Sequence, residues 1–183
     1  DIFLNLAQYL PPRSVIVFNQ TKVIPARLTL EKETGGKVEV LIFGGLTSKS
    51  EFLSVWADRA LEPDTKLSIF PPHSSPSSYS YLVKNKNLFF TVIKQQGQDF
   101  FLKPNFPLKA LPNILQRYGQ TPLPPYLRHS PLKENERRKN YQTIFAKNTG
   151  SIAAPTASLH FTKRLIKKLE KAGHDIAFVT LHV

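Results

Sequence analysis

Residues 149–183 read TGSIAAPTASLHFTKRLIKKLEKAGHDIAFVTLHV, a run of small residues that passes into a helical pattern and then an apolar run. From Lys163 onward, Leu165, Ile166 and Leu169 share one face of a helix. Thr162 is placed to cap its free amides and Gly173 to end it. DIAFVTLHV then predicts a buried strand, so helix and strand together predict an α/β unit. Before the helix, eight of the ten residues 149–158 are small, which predicts a loop that leaves its backbone uncovered. Such a loop leading into a helix N-terminus favours a carboxylate or a phosphate. His160, two residues before the cap, is placed to act as acid, base or hydrogen-bond donor. A tight junction whose histidine satisfies a backbone carbonyl accounts for the same pattern.

Outward from that unit, SVIVFN (14–19) is a short apolar run that predicts a strand buried on both faces. The stretch FNQTKVIPARL (18–28) follows, with Asn19, Gln20, Thr21 and Lys22 at the strand end, where ligands commonly bind in open α/β sheets. A plain turn explains it as well. His182, near the end of the run 175–183, has the same two readings, ligand position or core-edge histidine. Gly35-Gly36 between two β-rich runs predicts a hairpin, because both positions can take positive φ. EFLSVWA, TKLSIF, SYSYLV, NLFFTVI and DFFLKP predict further short strands, and PPHSSPSSYS (71–80) an exposed loop. KALPNILQRYG predicts a short helix ended by Gly119, and PLKENERRKNYQTIFA a second, charged one. The expected fold class is therefore an α/β domain, residues 1–25 and 121–183, carrying an inserted small antiparallel β-barrel, residues 26–120.

Composition narrows the partners. The 183 residues hold 25 Lys+Arg against 13 Asp+Glu, a net charge of +12 that suits a polyanion, most often nucleic acid. With no Cys, disulfides, thiolate metal sites and cysteine nucleophiles are excluded, in keeping with a reducing cytoplasm. Five scattered histidines without paired carboxylate spacing give no expectation of a metal. No apolar run approaches the ~18 residues of a membrane span, and the start lacks the pattern of a secretory signal. The chain opens without Met and stops inside a strand-like run, so a fragment is expected.

Basic and aromatic residues give candidate RNA contacts. PLPPYLRH (122–129) presents Tyr126 and Arg128 from a proline-stiffened turn, suited to stacking on bases or to packing as a connector. ERRK (136–139), with Arg137 and Arg138, and KRLIKK (163–168) read as solvated helix faces or as one phosphate-contacting surface.

Taken together and in order, VFNQTKVIPARL, GGKVEVLIF, PLPPYLRH, YQTIFAKNTGSIAAPTASLHFT and IAFVTLHV closely resemble the S-adenosylmethionine:tRNA ribosyltransferase-isomerases of queuosine biosynthesis. The resemblance runs nearly the whole chain, GSIAAPTASLHFT being its most specific block and residues 46–110 its loosest part. It implies an α/β domain with an inserted β-barrel. It implies transfer and isomerisation of the ribosyl part of S-adenosylmethionine onto a 7-aminomethyl-7-deazaguanine in the tRNA wobble position, giving epoxyqueuosine, adenine and methionine. S-adenosylmethionine is then a consumed substrate and no resident cofactor is expected; the partners are tRNA and that donor, with no membrane, and the protein is expected to be a cytoplasmic monomer.

That chemistry needs a base for the proton beside the sulfonium and an acid for departing adenine. His160 and His182 are the candidates. Thr156, Ser158 and Thr162 are expected to line the donor pocket, and Asn19, Thr21, Lys22 and Arg27 to face it. Where the family usually has NDT followed by Arg, this chain has NQTK, so Gln20 lacks a carboxylate and Lys22 keeps charge without bidentate geometry. Ser158 stands where Gly or Ala is usual. Family members also continue beyond LHV, so the resemblance implies a partial chain. A non-catalytic basic tRNA-binding module of the same fold is the alternative.

Overall fold

Two parallel strand pairs and one closed barrel account for the ten strands of the computed structural model, which describes residues 2–46, 50–69, 88–128 and 130–183. The chain divides into two compact units, Asp1–Val23 with Leu123–Val183, and Ile24–Pro122. His73, the Pro/Ser-rich stretch 71–80, the strand-like run SYSYLV and His129 lie outside the described residues.

The first unit opens with a 3-10 helix, Phe3–Gln8, followed by β1 (Val15–Asn19) and β2 (Thr21–Val23).

The second unit is the barrel. Its strands are β3 (Arg27–Lys32), β4 (Lys37–Gly44), β5 (Leu53–Ala57), β6 (Lys66–Ile69), β7 (Phe89–Gln96) and β8 (Asp99–Pro104). They close antiparallel in the order β3-β4-β5-β8-β7-β6. Alternate residues point inward, as the two-residue period of a strand requires. Leu28 and Leu30, Val38 and Val40, Val55, Leu67, Phe90, Val92 and Leu102 are all essentially buried. The helix Leu111–Tyr118 adds Leu111, Ile114 and Leu115 to the same core. Register shifts at Ile42/Gly44 and Val92/Lys94 are β-bulges, which increase local twist and bend the strands into closure. The expected hairpin joins β3 to β4, and in its turn Gly35 is left-handed, at φ 83°. Gly119 ends its helix in an extended conformation, and a Cβ there would come within 1.9 Å of the Pro25 carbonyl oxygen.

The chain then returns to the first unit. The charged segment forms a helix over Glu134–Asn140, and β9 follows at Asn148–Ser151. A 3-10 turn, Thr156–His160, the helix Lys163–Lys171 and β10 (Asp175–Val179) complete it. Thus the small-residue stretch expected to be a loop is partly a strand and partly a 3-10 turn. β1 pairs in parallel with β10, and β2 with β9. Leu165 and Leu169 are buried, and Thr162 Oγ1 accepts the Leu165 N–H at 3.2 Å, as the spacing predicts.

Burial of β1 and β10 departs from expectation. Val15 and Val17 are 60% and 56% exposed, and Phe178 and Val179 are also exposed. A strand is buried on both faces only when elements cover both, whatever its own composition. Here the covered face of β1 carries Phe18, which stacks on Phe145 at 4.2 Å between ring centroids and meets Phe161 edge-on at 4.6 Å. Among the described residues no helix is long and apolar enough to cross a membrane.

Candidate functional site

The junction of β1 and β2 is bound to the end of the chain by side chains. Asn19 Nδ2 donates to the Leu181 carbonyl at 2.8 Å, while Asn19 Oδ1 accepts the N–H groups of Leu181 and Thr21, both at 3.1 Å. The Gln20 N–H donates to the Val179 carbonyl, and the Gln20 carbonyl accepts from Lys147 and Asn148. The Gln20 and Asn148 side-chain amides both donate to Thr180 Oγ1, at 3.3 and 2.7 Å. This position thus holds three segments together through its backbone and a neutral amide. Thr21, 1% exposed, places Oγ1 2.6 Å from Nδ1 of His182.

Gly150 lies under that histidine. In the β2–β9 ladder Lys22 is opposite Thr149 and Val23 is opposite Ser151, so Gly150 is the extra residue of a bulge. Its φ is 150°, and a Cβ built on it would sit 3.1 Å from both Cε1 and Nε2 of His182. Next to it, Ser151 Oγ donates to the Ala153 carbonyl at 2.8 Å and accepts the Val183 N–H at 3.3 Å. The Ile152 N–H donates to the Val183 carbonyl at 2.8 Å. What approaches the stripped backbone of 149–152 is therefore the chain's own segment 180–183, with a histidine ring on the glycine.

Two contacts were not readable as site features from residue types. The Gln142 amide pairs with both backbone groups of Val23, Oε1 accepting its N–H at 3.0 Å and Nε2 donating to its carbonyl at 2.9 Å. It acts as a one-residue strand partner, and no spacing signals that. Tyr141 packs with Val23, Leu123 and Ala154 in a small buried cluster. Burial holds its hydroxyl above the ordinary pKa of 10.0, opposed by a hydrogen bond with the Ala154 backbone and reinforced by Tyr126.

The structure joins Asn19, Thr21 and His182 directly and leaves the other candidates elsewhere. His160 is exposed, its ring tilted against Phe3 at 5.5 Å. Thr156 is exposed and Ser158 buried in the 3-10 turn. Thr162 is committed to capping its helix. Lys22 is exposed on β2. Arg27 belongs to the barrel unit, buried and ion-paired with Glu39. Tyr126 and Arg128 lie exposed at the 3-10 turn Pro125–Leu127. Arg137 donates to the Ser130 carbonyl at 2.6 Å, and Arg138 pairs with Glu134 at 2.8 Å one helical turn away. Among the described residues no group of three or more His, Cys, Asp or Glu could hold a metal ion.

A family model described as "Queuosine biosynthesis protein" matches residues 1–183. Among curated relatives, the S-adenosylmethionine:tRNA ribosyltransferase-isomerase of Cupriavidus pinatubonensis is 38% identical over 181 residues, 99% of this chain and 46% of its own length. That of Aquifex aeolicus is 38% identical over 183 residues, 100% of this chain and 49% of its own length. The chain spans about half the length of the curated relatives it matches. Among solved structures, an S-adenosylmethionine tRNA ribosyltransferase from Thermotoga maritima is 23% identical over 99% of this chain and 44% of that one. The TM-score of the two is 0.34.

Proposed function

The chain belongs to the queuosine biosynthesis protein family, and from that premise we propose that it serves in ribosyl transfer and isomerisation from S-adenosylmethionine onto tRNA. The acceptor is the aminomethyl group of a 7-deazaguanine at the wobble position; the products are epoxyqueuosine, adenine and methionine. S-adenosylmethionine is consumed in this reading and leaves no resident cofactor. The match of the family model across residues 1–183 is the observation that carries it.

Within that reaction the geometry favours His182 as a proton-transfer group. A proton on the carbon beside the sulfonium is acidified by the adjacent positive charge, and an oriented imidazole suits its removal. In the tautomer whose Nδ1–H donates to Thr21 Oγ1, 2.6 Å away, the lone pair lies on Nε2. Asn19 supports the arrangement by fixing the backbone of both Thr21 and Leu181. His160, exposed beside Phe3, is the second candidate, for protonating the departing adenine.

Incubating the protein with S-adenosylmethionine and tRNA carrying the aminomethyl-deazaguanine, and following free adenine by chromatography, tests the reading. Adenine release that requires this tRNA is the expected result. Tight tRNA binding with no donor binding and no adenine overturns it in favour of a non-catalytic module.

A further inference from the structure

The helix Lys163–Lys171 has five cations in nine residues, Lys163, Arg164, Lys167, Lys168 and Lys171, against the one carboxylate of Glu170. Lys168 and Lys171 in the last turn suit the helix dipole, but the N-terminal part of this arrangement works against the helix. Its first turn contains no acidic residue, and Lys163 and Arg164 face the positive end of the dipole. Lys163, Lys167 and Lys171 recur every four residues, as do Arg164 and Lys168, so like charges are surface neighbours. Local choices that oppose the element carrying them point to a function.

These cations border one open groove of about 600 Å³, completed by Leu4. Lys168 is tied there, Nζ donating to the Leu4 carbonyl at 3.0 Å. Lys163, Arg164, Lys167 and Lys171 make no ion pair among the described residues. A membrane-surface helix needs an apolar face free to enter the lipid. Here Leu165 and Leu169, 1% and 0% exposed, already have that face inside the fold. What the helix offers outward is charge at a rise of about 6 Å per four residues, which suits backbone phosphates.

We propose that this face, Lys163, Arg164, Lys167 and Lys171 above the Leu4 groove, docks the phosphate backbone of RNA. The proposal deepens the functional reading above and rests on it for the choice of tRNA.

The test is the triple variant Lys163→Gln, Lys167→Gln, Lys171→Gln, which removes charge and keeps helix propensity. Its tRNA affinity is measured by filter binding from about 50 to 200 mM salt, beside a control with Lys94, Lys103 and Lys109 of the barrel unit changed to Gln. The helix variant is expected to bind about tenfold more weakly at low salt, with a salt slope shallower by about 2–3. The control is expected to change far less, and the unfolding temperature of the helix variant not to fall. A helix variant with the wild-type slope overturns the proposal, and so does a control that loses as much. Binding of the wild type to phosphatidylserine vesicles but not to tRNA overturns it in favour of a membrane. A wild type without S-adenosylmethionine affinity, whose tRNA binding still depends on the three lysines, keeps the surface and overturns the catalytic reading.

Discussion

Nδ1 of His182 lies 2.6 Å from Oγ1 of Thr21, a contact between residues 161 positions apart that joins the end of the chain to the start of β2. If Nε2 is the working nitrogen, His182→Ala is predicted to lower adenine release by about 10²–10⁴-fold. Thr21→Val keeps the side-chain shape and removes the hydroxyl. It is predicted to lower release by a smaller factor and to cost about 1 kcal/mol of stability. Adenine release by His182→Ala at the wild-type rate would refute the assignment.

Gly150 bears the other side of the same ring. At φ 150° an L side chain is strained, and the added Cβ would lie 3.1 Å from His182 Nε2. Gly150→Ala is predicted to destabilise the protein by about 1–3 kcal/mol. The steric part should vanish in the double variant with His182→Ala and the backbone part should stay, which a double-mutant cycle of unfolding free energies separates. Strict additivity would mean that the ring and the glycine are independent.

The barrel was legible because its strands alternate. Leu53 and Val55, Leu67 and Ile69, Phe100 and Leu102 each fall two residues apart, and each pair is buried. The helix Lys163–Lys171 was legible for a similar reason, with Thr162 and Gly173 marking its ends. The pairing of β2 with β9 was not, because NTGS has no apolar period and is held through backbone groups around a bulge. The exposure of Val15 and Val17 was hidden because apolar composition does not say how many neighbours a strand will have. At the site, Thr21 and His182 each stand out as polar groups near strand ends. Their contact depends on the parallel return of β10 beside β1, which no local spacing contains.

Thr162 separates two roles that the sequence leaves open, helix cap and donor-pocket lining. Its Oγ1 accepts the Leu165 N–H at 3.2 Å, so capping is the role with a geometric partner. Thr162→Ala is predicted to cost about 1 kcal/mol and Thr162→Ser much less. Neither should change S-adenosylmethionine affinity beyond what the stability loss explains. A large rise in the dissociation constant for Thr162→Ser, at unchanged unfolding temperature, would instead put the threonine methyl against the donor.

Tyr141 supplies a pH dependence whose sign is fixed by burial. Desolvation favours the neutral phenol, which raises its folded pKa above the ordinary 10.0; the Ala154 backbone hydrogen bond works in the opposite direction. A group with a raised folded pKa holds its proton in the folded state after the unfolded chain has begun to lose it. The stability linked to that proton is therefore fully present below about pH 10 and lost as pH rises through the folded value. The quantity that isolates this hydroxyl is the difference between wild type and Tyr141→Phe. That difference in unfolding free energy is predicted to be flat from about pH 7 to 9 and to change above 10, the wild type losing stability relative to the variant. Parallel curves above pH 10 would mean that the Tyr141 hydroxyl ionises as freely in the folded protein as in the unfolded chain.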